Sequence, residues 1–261
     1  MLYYSVTDDD IESLERATLD AVAPPALEAL PGWLLPFDQS TIGRAKSAVP
    51  LSHAAQDVGI LRDIVDRYTA HQLPAAFRVA DVISLTTIHL ELRRLGFTPQ
   101  QPTLVQIGSA QRMLAALGVA DALGACATAP VTVTHRPTPA WSAVYTAPGF
   151  DAVDGAHRVQ ALSRSTTVVF ASLADAQGPV AAGTASFSQG WASVHGMRTA
   201  ERARGQGLAG FVLTALAQHA LSRGIDRVFL QVEEVNAAAL ALYQRVGFQT
   251  AWRYHYWRGS C

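Results

Sequence analysis

The residues of this chain best suited to chemistry form one short run, Arg204-Gly205-Gln206-Gly207-Leu208-Ala209. Apolar residues recur at helical spacing from the end of this run, which predicts an amphipathic helix that begins within the glycines: Leu208, Phe211, Val212, Ala215 and Leu216. The first turn of a helix carries unpaired N–H groups and the positive end of the helix dipole, and glycine lets a ligand approach the backbone closely. The run therefore predicts a site for phosphate groups.

Three interpretations of this glycine-rich run are open from its residues alone. The first is a basic turn that connects a strand to a solvated helix. The second is dinucleotide binding, because Gly205, Gly207 and Gly210 satisfy G-x-G-x-x-G, although too little chain follows them for the further strand and helix units of that fold. The third is R-x-x-G-x-A over Arg204 to Ala209, a pyrophosphate cradle of the kind that binds coenzyme A.

The segment after this helix adds a strand and a second helix. Arg227 to Val232 is a hydrophobic run typical of a strand, and a polar stretch that ends at Asn236 follows it. Residues 237–246 then predict a short helix with one apolar stripe, made of Ala239, Leu242, Tyr243 and Val246. Tyr243 lies on the buried stripe of that helix, so its hydroxyl needs a partner there.

Taken together, these residues resemble the GNAT superfamily of acetyl-CoA-dependent N-acyltransferases, whose core reads strand, R/Q-x-x-G-x-G/A, helix, strand, N-x-x-A, helix, L-Y-x-x-x-G-F. The resemblance covers roughly residues 180–256, with the motif residues in the right order and at the right spacing: Arg204, Gly207, Ala209, Leu230-Gln231-Val232, Asn236, Ala239, Leu242-Tyr243 and Gly247-Phe248. A second register, Arg202-x-x-Gly205-x-Gly207, also fits, but the distance from the glycines to the helix stripe favours Arg204.

The resemblance implies that the chain binds acetyl-CoA as its co-substrate. The pyrophosphate would lie on the backbone of the cradle, with Arg204 or Arg202 beside it: Gly205, Gln206, Gly207, Leu208 and Ala209. Two strands before the cradle, over 179–188 and 191–198, would splay apart and take the pantetheine arm like an added strand. The backbone at Met197, Arg198 and Thr199 would contact that arm and polarise the thioester carbonyl, and Asn236 would help place its end.

The resemblance also implies that Tyr243 protonates the departing sulfur. The alternatives are that Tyr243 is a core tyrosine and that Asn236 is an ordinary helix N-cap. The amine must also lose a proton, because an amine with a pKa of about 10.4 is neutral in only about one molecule per thousand near neutral pH. Glu233, Glu234 and His195 are the candidate bases, and we favour Glu233.

An internal repeat suggests how the rest of the chain is organised. Asp81 is expected to cap a helix that ends in Leu92-Arg93-Arg94-Leu95-Gly96-Phe97, which parallels Tyr243-Gln244-Arg245-Val246-Gly247-Phe248. Leu92 stands opposite Tyr243, and no cradle motif precedes it. We therefore predict an α/β fold with an α+β mixed sheet and two tandem GNAT-like domains, a degenerate one over 1–125 and a catalytic one over 126–261. The alternative is that the repeated motif is merely a helix C-cap followed by a strand.

The composition limits the classes of partner that we expect this chain to bind. A formal net charge of −1 disfavours a general nucleic-acid binder. We expect a cytoplasmic protein without a membrane partner, because the N-terminus lacks a signal-peptide pattern and no run of roughly eighteen apolar residues occurs. Cys126 and Cys261 form no framework, and the eight histidines show no metal-binding spacing, so we expect no metal. The oligomeric state is left open.

The favoured function is transfer of acetyl from acetyl-CoA to a primary amine of an unidentified small molecule. A non-catalytic acyl-CoA-binding module and a nucleotide-binding oxidoreductase of the Rossmann type are the alternatives. A further basic segment, Gly43-Arg44-Ala45-Lys46-Ser47, resembles an R-A-N-S motif of tandem GNAT proteins, with Lys46 in place of Asn. We expect the N-terminal half to shape the acceptor pocket, with Arg44 or Trp141 in its lining, unless this segment is a surface strand.

Overall fold

The computed structural model describes residues 6–121 and 130–259. The predicted boundary at residues 125 and 126 lies outside these ranges, as do Cys126 and Cys261. The helices are α1 (Asp8–Val22), α2 (Ile60–Ala70), α3 (Thr86–Arg94), α4 (Ala110–Asp121), α5 (Pro139–Tyr145), α6 (Ala152–Arg164), α7 (Leu208–Ser222) and α8 (Ala237–Arg245). The strands are β1 (Ala26–Leu30), β2 (Trp33–Phe37), β3 (Val49–Pro50), β4 (Ala76–Ala80), β5 (Phe97–Ser109), β6 (Thr132–Thr134), β7 (Val168–Asp175), β8 (Gly178–Ser188), β9 (Trp191–Thr199), β10 (Arg227–Glu233) and β11 (Gln249–Gly259).

The strands form one large and one small sheet. The large sheet has eight strands in the order β4-β11-β5-β10-β9-β8-β7-β6, and β1, β2 and β3 form the small one. Within the large sheet the pair β9–β10 is parallel, whereas the other neighbours pair antiparallel. This mixed sheet with helices confirms the predicted α/β class. It is not the mostly parallel, doubly wound sheet of dinucleotide-binding enzymes, so the Rossmann interpretation is wrong.

The two copies of the repeated motif interleave in the large sheet. One copy runs β4, α3, β5, and the other runs β10, α8, β11. β11 lies between β4 and β5, and β5 in turn lies between β11 and β10. Each copy therefore completes its hydrogen bonding with a strand of the other, and β4 and β5 share one sheet with the strands of the C-terminal part of the chain.

The alternation of side chains along β10 explains the layers on either side of the sheet. Val228, Leu230 and Val232 pack into a core with the apolar stripe of α7, whereas Phe229 packs into a core with α1, α2 and α3. Successive strand residues point to opposite faces. The helices therefore cover both faces, with α7 and α4 on one and α1, α2 and α3 on the other.

Helix α1 ties the N-terminal part of the chain to strands from the C-terminal part. The indole N–H of Trp191 on β9 donates to the hydroxyl of Ser13 at 2.9 Å, and the side chain of Gln231 on β10 donates to Thr18 at 3.0 Å. Glu15 forms a fully buried ion pair with Arg78 of β4 at 2.5 Å. These contacts fix α1 across the middle of the sheet.

The start of α3 differs from the sequence prediction. Asp81 does not cap this helix, since α3 begins at Thr86 after a 3-10 turn and its N-cap is Leu85, which makes no side-chain cap bond. The carboxylate of Asp81 instead accepts from the guanidinium of Arg253 on β11. An acid at a sequence position typical of a local cap thus pairs with a residue far away in sequence, which a local pattern does not reveal.

The packing of α6 on α5 gives a stability prediction. A Cβ on Gly155 would fall on the backbone carbonyl of Tyr145, and backbone cannot move aside as a flexible side chain can. Overpacking of this kind costs about 1–3 kcal/mol, more than the roughly 1 kcal/mol that alanine gains over glycine in a helix. The net loss is then as much as about 2 kcal/mol, so we expect Gly155→Ala to lower the Tm by up to roughly 8 °C in a thermal unfolding experiment.

The same substitution in α4 is the matched control. A Cβ on Gly118 would meet no atom within 4 Å. Gly118→Ala should therefore raise the free energy of unfolding by roughly 0.5–1 kcal/mol. Equal effects of the two substitutions would contradict the close approach of α5 and α6.

Candidate active site

The site begins where β9 and β10 separate. Their parallel pairing covers Val228 with Ala192, Phe229 with Ser193, and Leu230 with Val194, and then stops. Both strands continue, β9 to Thr199 and β10 to Glu233. Past the third pair, the facing edges of the two strands therefore lack the ladder that joins them earlier, and an extended ligand can add to such an edge.

A cavity of about 550 Å³ occupies this gap. Its lining includes Leu230 and Tyr243 from the core beneath α7, and Tyr254 and Tyr256 from the core beneath α1. The cavity is therefore lined from both faces of the sheet. Its volume lies within the range of small-molecule sites, about 300–1,000 Å³.

The predicted cradle follows β9 directly. A 3-10 turn, Glu201–Ala203, leads into Arg204, and α7 begins at Leu208 with Gly207 as its N-cap. Gly205 and Gly207 have φ angles of +78° and +76°, and a Cβ on either would meet no atom within 4 Å. No described group accepts from the backbone N–H groups of residues 206–209. Positive φ and open space above unpaired amides are what a phosphate cradle requires.

The arginines around the cradle differ in how they are engaged. Arg202 forms a bidentate pair with Asp175 at 2.5 and 3.0 Å. Arg198 donates to Asp154 at 2.6 Å and to the carbonyl of Tyr145 at 2.8 Å. Arg204 makes one long bond, from its Nε to the carbonyl of Thr199 at 3.4 Å. The exposed guanidinium of Arg204 is therefore the one with donors left for a phosphate, which supports the register based on Arg204.

Tyr243 lies on the inner side of α8, where its side chain is 7% exposed. Its ring packs edge-on against Phe248 with centroids 5.7 Å apart, and it lines the cavity. The hydroxyl makes no hydrogen bond with any described residue. Burial raises the pKa of Tyr243 to about 12, so the phenol is protonated at any ordinary assay pH. Tyr243 is thus a proton donor with an open hydroxyl that faces a cavity.

Asn236 and Glu233 also line the cavity. The side-chain oxygen of Asn236 accepts from the N–H of Ala239 at 3.2 Å, so Asn236 is the N-cap of α8 as well. Glu233 is exposed at the end of β10, and its carboxylate accepts from the side chain of Gln101 at 2.8 Å. Gln101 comes from β5, so the first copy of the repeat holds the carboxylate of the second.

The other two candidate bases are placed differently. Glu234 is not part of the cavity lining, and its carboxylate lies 3.6 Å from Arg253. His195 lines the cavity on β9, is 3% exposed, and neither ring nitrogen has a hydrogen-bond partner within the described ranges. Burial, helped by the positive charge of Arg44, holds the pKa of His195 well below its usual value. The imidazole is therefore neutral near neutral pH.

The remaining wall is built largely by segments distant in sequence from the cradle. Arg44, in the 3-10 turn Gly43–Ala45, lines the cavity as expected. Trp141 does not, because it is fully buried and its indole N–H donates to the carbonyl of Gly183 at 3.2 Å. That part of the prediction is wrong. The lining residues that sequence reasoning missed include Gln101, Arg158, Tyr254 and Tyr256.

The described residues also bear on metal binding and on membrane-spanning helices. Within residues 6–121 and 130–259, no cluster of three or more histidine, cysteine, aspartate or glutamate side chains could hold a metal ion. Over the same residues, no helix is both long and apolar enough to cross a bilayer.

The sequence matches one protein family over most of its length and a curated relative over a shorter stretch. Residues 8–257 match the family described as "Probable histone acetyltransferase Rv0428c C-terminal". The chain is 34% identical to the uncharacterized N-acetyltransferase YobR of Bacillus subtilis (strain 168) over 87 residues, 33% of this chain and 35% of that protein. The chain thus spans about a third of that relative's length.

Two solved structures share the fold over nearly the whole chain. A GCN5-related N-acetyltransferase from Kribbella flavida superposes with a TM-score of 0.68 at 14% identity and covers 96% of each chain. A tandem GNAT protein from the clavulanic acid biosynthesis pathway gives 0.58 at 16% identity, over 97% of this chain and 96% of that one. Because the family match extends over most of its residues, the chain belongs to the Rv0428c acetyltransferase C-terminal family, and it has the fold of these N-acetyltransferase structures.

Proposed function

We propose that this protein transfers the acetyl group of acetyl-CoA to a primary amine of a small molecule. The observation that carries the proposal is the gap between β9 and β10, which has unpaired amides of the cradle at one end and the open hydroxyl of Tyr243 in its wall. A diphosphate needs the first feature, and a departing thiolate needs the second.

The chain's own groups would divide the reaction as follows. Backbone of β9 past Val194 aligns the thioester carbonyl, and Glu233, directly or through a water, takes the proton that the amine loses as its nitrogen attacks. The new amide bond forms as the carbon–sulfur bond breaks. Tyr243 donates a proton or hydrogen bond to the sulfur. The same burial that raises the pKa of Tyr243 to about 12 would also disfavour a bare thiolate, so a protonated phenol beside the sulfur favours its departure.

The two-domain organisation is part of the proposal. Leu92, the counterpart of Tyr243, is fully buried in the core beneath α1 and does not line the cavity. A leucine there can neither donate a proton nor bind a phosphate. We propose that the N-terminal half is a degenerate copy, retained because β5 and the turn at Arg44 complete the cavity of the other half.

The direct test is thiol release from acetyl-CoA with a panel of amines and a lysine-rich peptide, the latter because the family description names a histone acetyltransferase. We expect Tyr243→Phe to lower kcat by roughly 10²- to 10⁴-fold, the usual contribution of a general acid, with an unchanged Kd for acetyl-CoA in calorimetry. Tyr68→Phe is the control, since Tyr68 is buried away from the cavity and donates to the carbonyl of Pro36. Binding without turnover for every amine would favour a non-catalytic module.

The cradle predicts a loss of coenzyme A affinity. Arg204→Ala removes charge-assisted hydrogen bonds worth about 1–3 kcal/mol, so the Kd for acetyl-CoA should rise roughly 5- to 150-fold. Arg223→Ala is the control, because Arg223 lies past the opposite end of α7, with its guanidinium 4.5 Å from the ring centroid of Phe187. An unchanged Kd for Arg204→Ala would mean that the pyrophosphate lies elsewhere.

Substitutions of two neighbouring glutamates test which group takes the proton from the amine. Glu233→Gln keeps the hydrogen-bonding shape of a cavity residue but removes the basic oxygen, so kcat/KM should fall by about 10²-fold or more. Glu234→Gln alters a carboxylate that faces Arg253 outside the cavity and should leave kcat/KM near the wild-type value. If both variants keep full activity, the amine loses its proton by another route.

A further inference from the structure

Arg44 differs from the other two arginines that line the cavity, Arg158 and Arg198, which both bind the carboxylate of Asp154. Its guanidinium makes no hydrogen bond or ion pair with any described residue. We propose that the acceptor amine also carries an oxyanion, a carboxylate or a phosphate, which binds Arg44. This proposal rests on the proposed acetyl transfer and names its substrate class.

The arginines near Arg44 each have an acidic partner, whereas Arg44 has none among the described residues. Arg78 pairs with Glu15 at 2.5 Å, fully buried. Arg158 and Arg198 both reach the same oxygen of Asp154 at 2.6 Å, and the other oxygen of Asp154 accepts from Thr41 at 2.9 Å. Both acids in this region are therefore already bound to other arginines.

The surroundings of Arg44 make its charge costly. Burial lowers the pKa of Arg44 by more than the neighbouring Tyr256 and Tyr254 raise it, and the positive charges of Arg158 and Arg78 lower it further. A guanidinium nevertheless stays charged in a protein. An unpaired charge that is partly removed from water and stands beside other cations is unfavourable until an anion reaches it.

The charge balance of the lining agrees with this assignment. Within the described residues, three arginines line the cavity, namely Arg44, Arg158 and Arg198, against one carboxylate, that of Glu233. Glu233 is itself held by Gln101. An acceptor with an amine at one end and an oxyanion at the other matches this distribution, whereas a polycationic peptide would bring further positive charge to Arg44 and Arg158.

A second set of unsatisfied groups lies on the same wall. Neither nitrogen of His195 has a partner, although the ring is 97% removed from solvent. Arg44 and His195 both line this cavity and also a small space beside it, so the two groups lie close together. A neutral imidazole has one N–H to donate. Arg44 and His195 together therefore offer several donors to one oxyanion, and Arg44 can bind it through two parallel hydrogen bonds.

The experiment uses amines matched in length that differ in the oxyanion: β-alanine, 2-aminoethyl phosphate and propylamine. Thiol release from acetyl-CoA should show kcat/KM at least about tenfold higher for one of the two anionic amines than for propylamine, and the better anion identifies the source of the charge. A lysine-rich peptide is the fourth arm. If propylamine or the peptide is the best acceptor, the protein acetylates amines but this inference is overturned.

Arg44→Gln then tests the residue. For the preferred anionic amine, KM should rise roughly 10- to 100-fold, whereas the KM for propylamine, which has no oxyanion for Arg44 to bind, should rise at least about fivefold less. Arg44→Lys keeps the positive charge but cannot form two parallel hydrogen bonds to one oxyanion. Its KM for the anionic amine should therefore lie between those of the wild type and of Arg44→Gln. Arg94→Gln, which removes an exposed guanidinium paired with Glu91 on α3, should leave all these constants unchanged.

The stability of the variant separates binding from a structural role. Arg44 has no partner to leave behind, so Arg44→Gln should keep or raise the Tm of the ligand-free protein. A lowered Tm with equal losses for propylamine and the anionic amines would assign Arg44 a structural role and contradict the inference. Absence of thiol release from wild-type protein with every acceptor would instead count against the proposed function itself.

Discussion

The early end of the β9–β10 ladder is the constraint on which the rest of the site depends. Three residue pairs join the two parallel strands, and beyond Val194 and Leu230 each strand presents an edge without that partner. Backbone polar groups removed from water need hydrogen bonds, so such an edge is favourable only where a ligand or water can supply them. The cradle at the start of α7 follows because β9 ends there, and α8 follows because β10 leads into it.

The gap persists because each diverging strand is held on its outer side. β10 pairs with β5 from Arg227 to Glu233, and β9 pairs with β8 up to Thr199. Hydrogen bonds from Trp191 and Gln231 to α1 fix the same two strands from one face. The interleaving of β4, β11, β5 and β10 is therefore more than a shared sheet, because it places a strand of the first repeat where it keeps β10 away from β9.

Sequence reasoning found the parts of the site that depend on local spacing. The cradle, the cap at Asn236 and the inward position of Tyr243 follow from glycine positions and helical periodicity over a few turns, and the structure has them at the expected residues. Whether these residues act as predicted remains a proposal. The contact of Gln101 with Glu233 spans 132 positions, and no periodicity carries that information.

The failures share the same cause. Asp81 has the type and position of a helix cap, but Arg253 provides a stronger, charged partner across the sheet. Trp141 was the alternative to Arg44 in the lining of the acceptor pocket, yet its indole N–H donates to a carbonyl on β8 and its ring is buried against Phe170 and Tyr145. In both cases a pairing distant in sequence outweighs the local pattern.

The unpaired guanidinium of Arg44 lowers the stability of the folded protein, because the nearby acids are bound by other arginines. Glu15 and Asp154 lie in the neighbourhood of Arg44, but each is bound by another arginine, and neither could serve Arg44 without leaving that partner buried and unpaired. A fold selected for stability alone would replace the unpaired cation with a neutral side chain, since functional sites are where such costs persist. A ligand anion that neutralises Arg44 would then stabilise the folded protein by its own binding free energy. Because Arg44 comes from the N-terminal half and its neighbours His195 and Tyr254 come from the other, the binding energy would also hold the two halves of the cavity together.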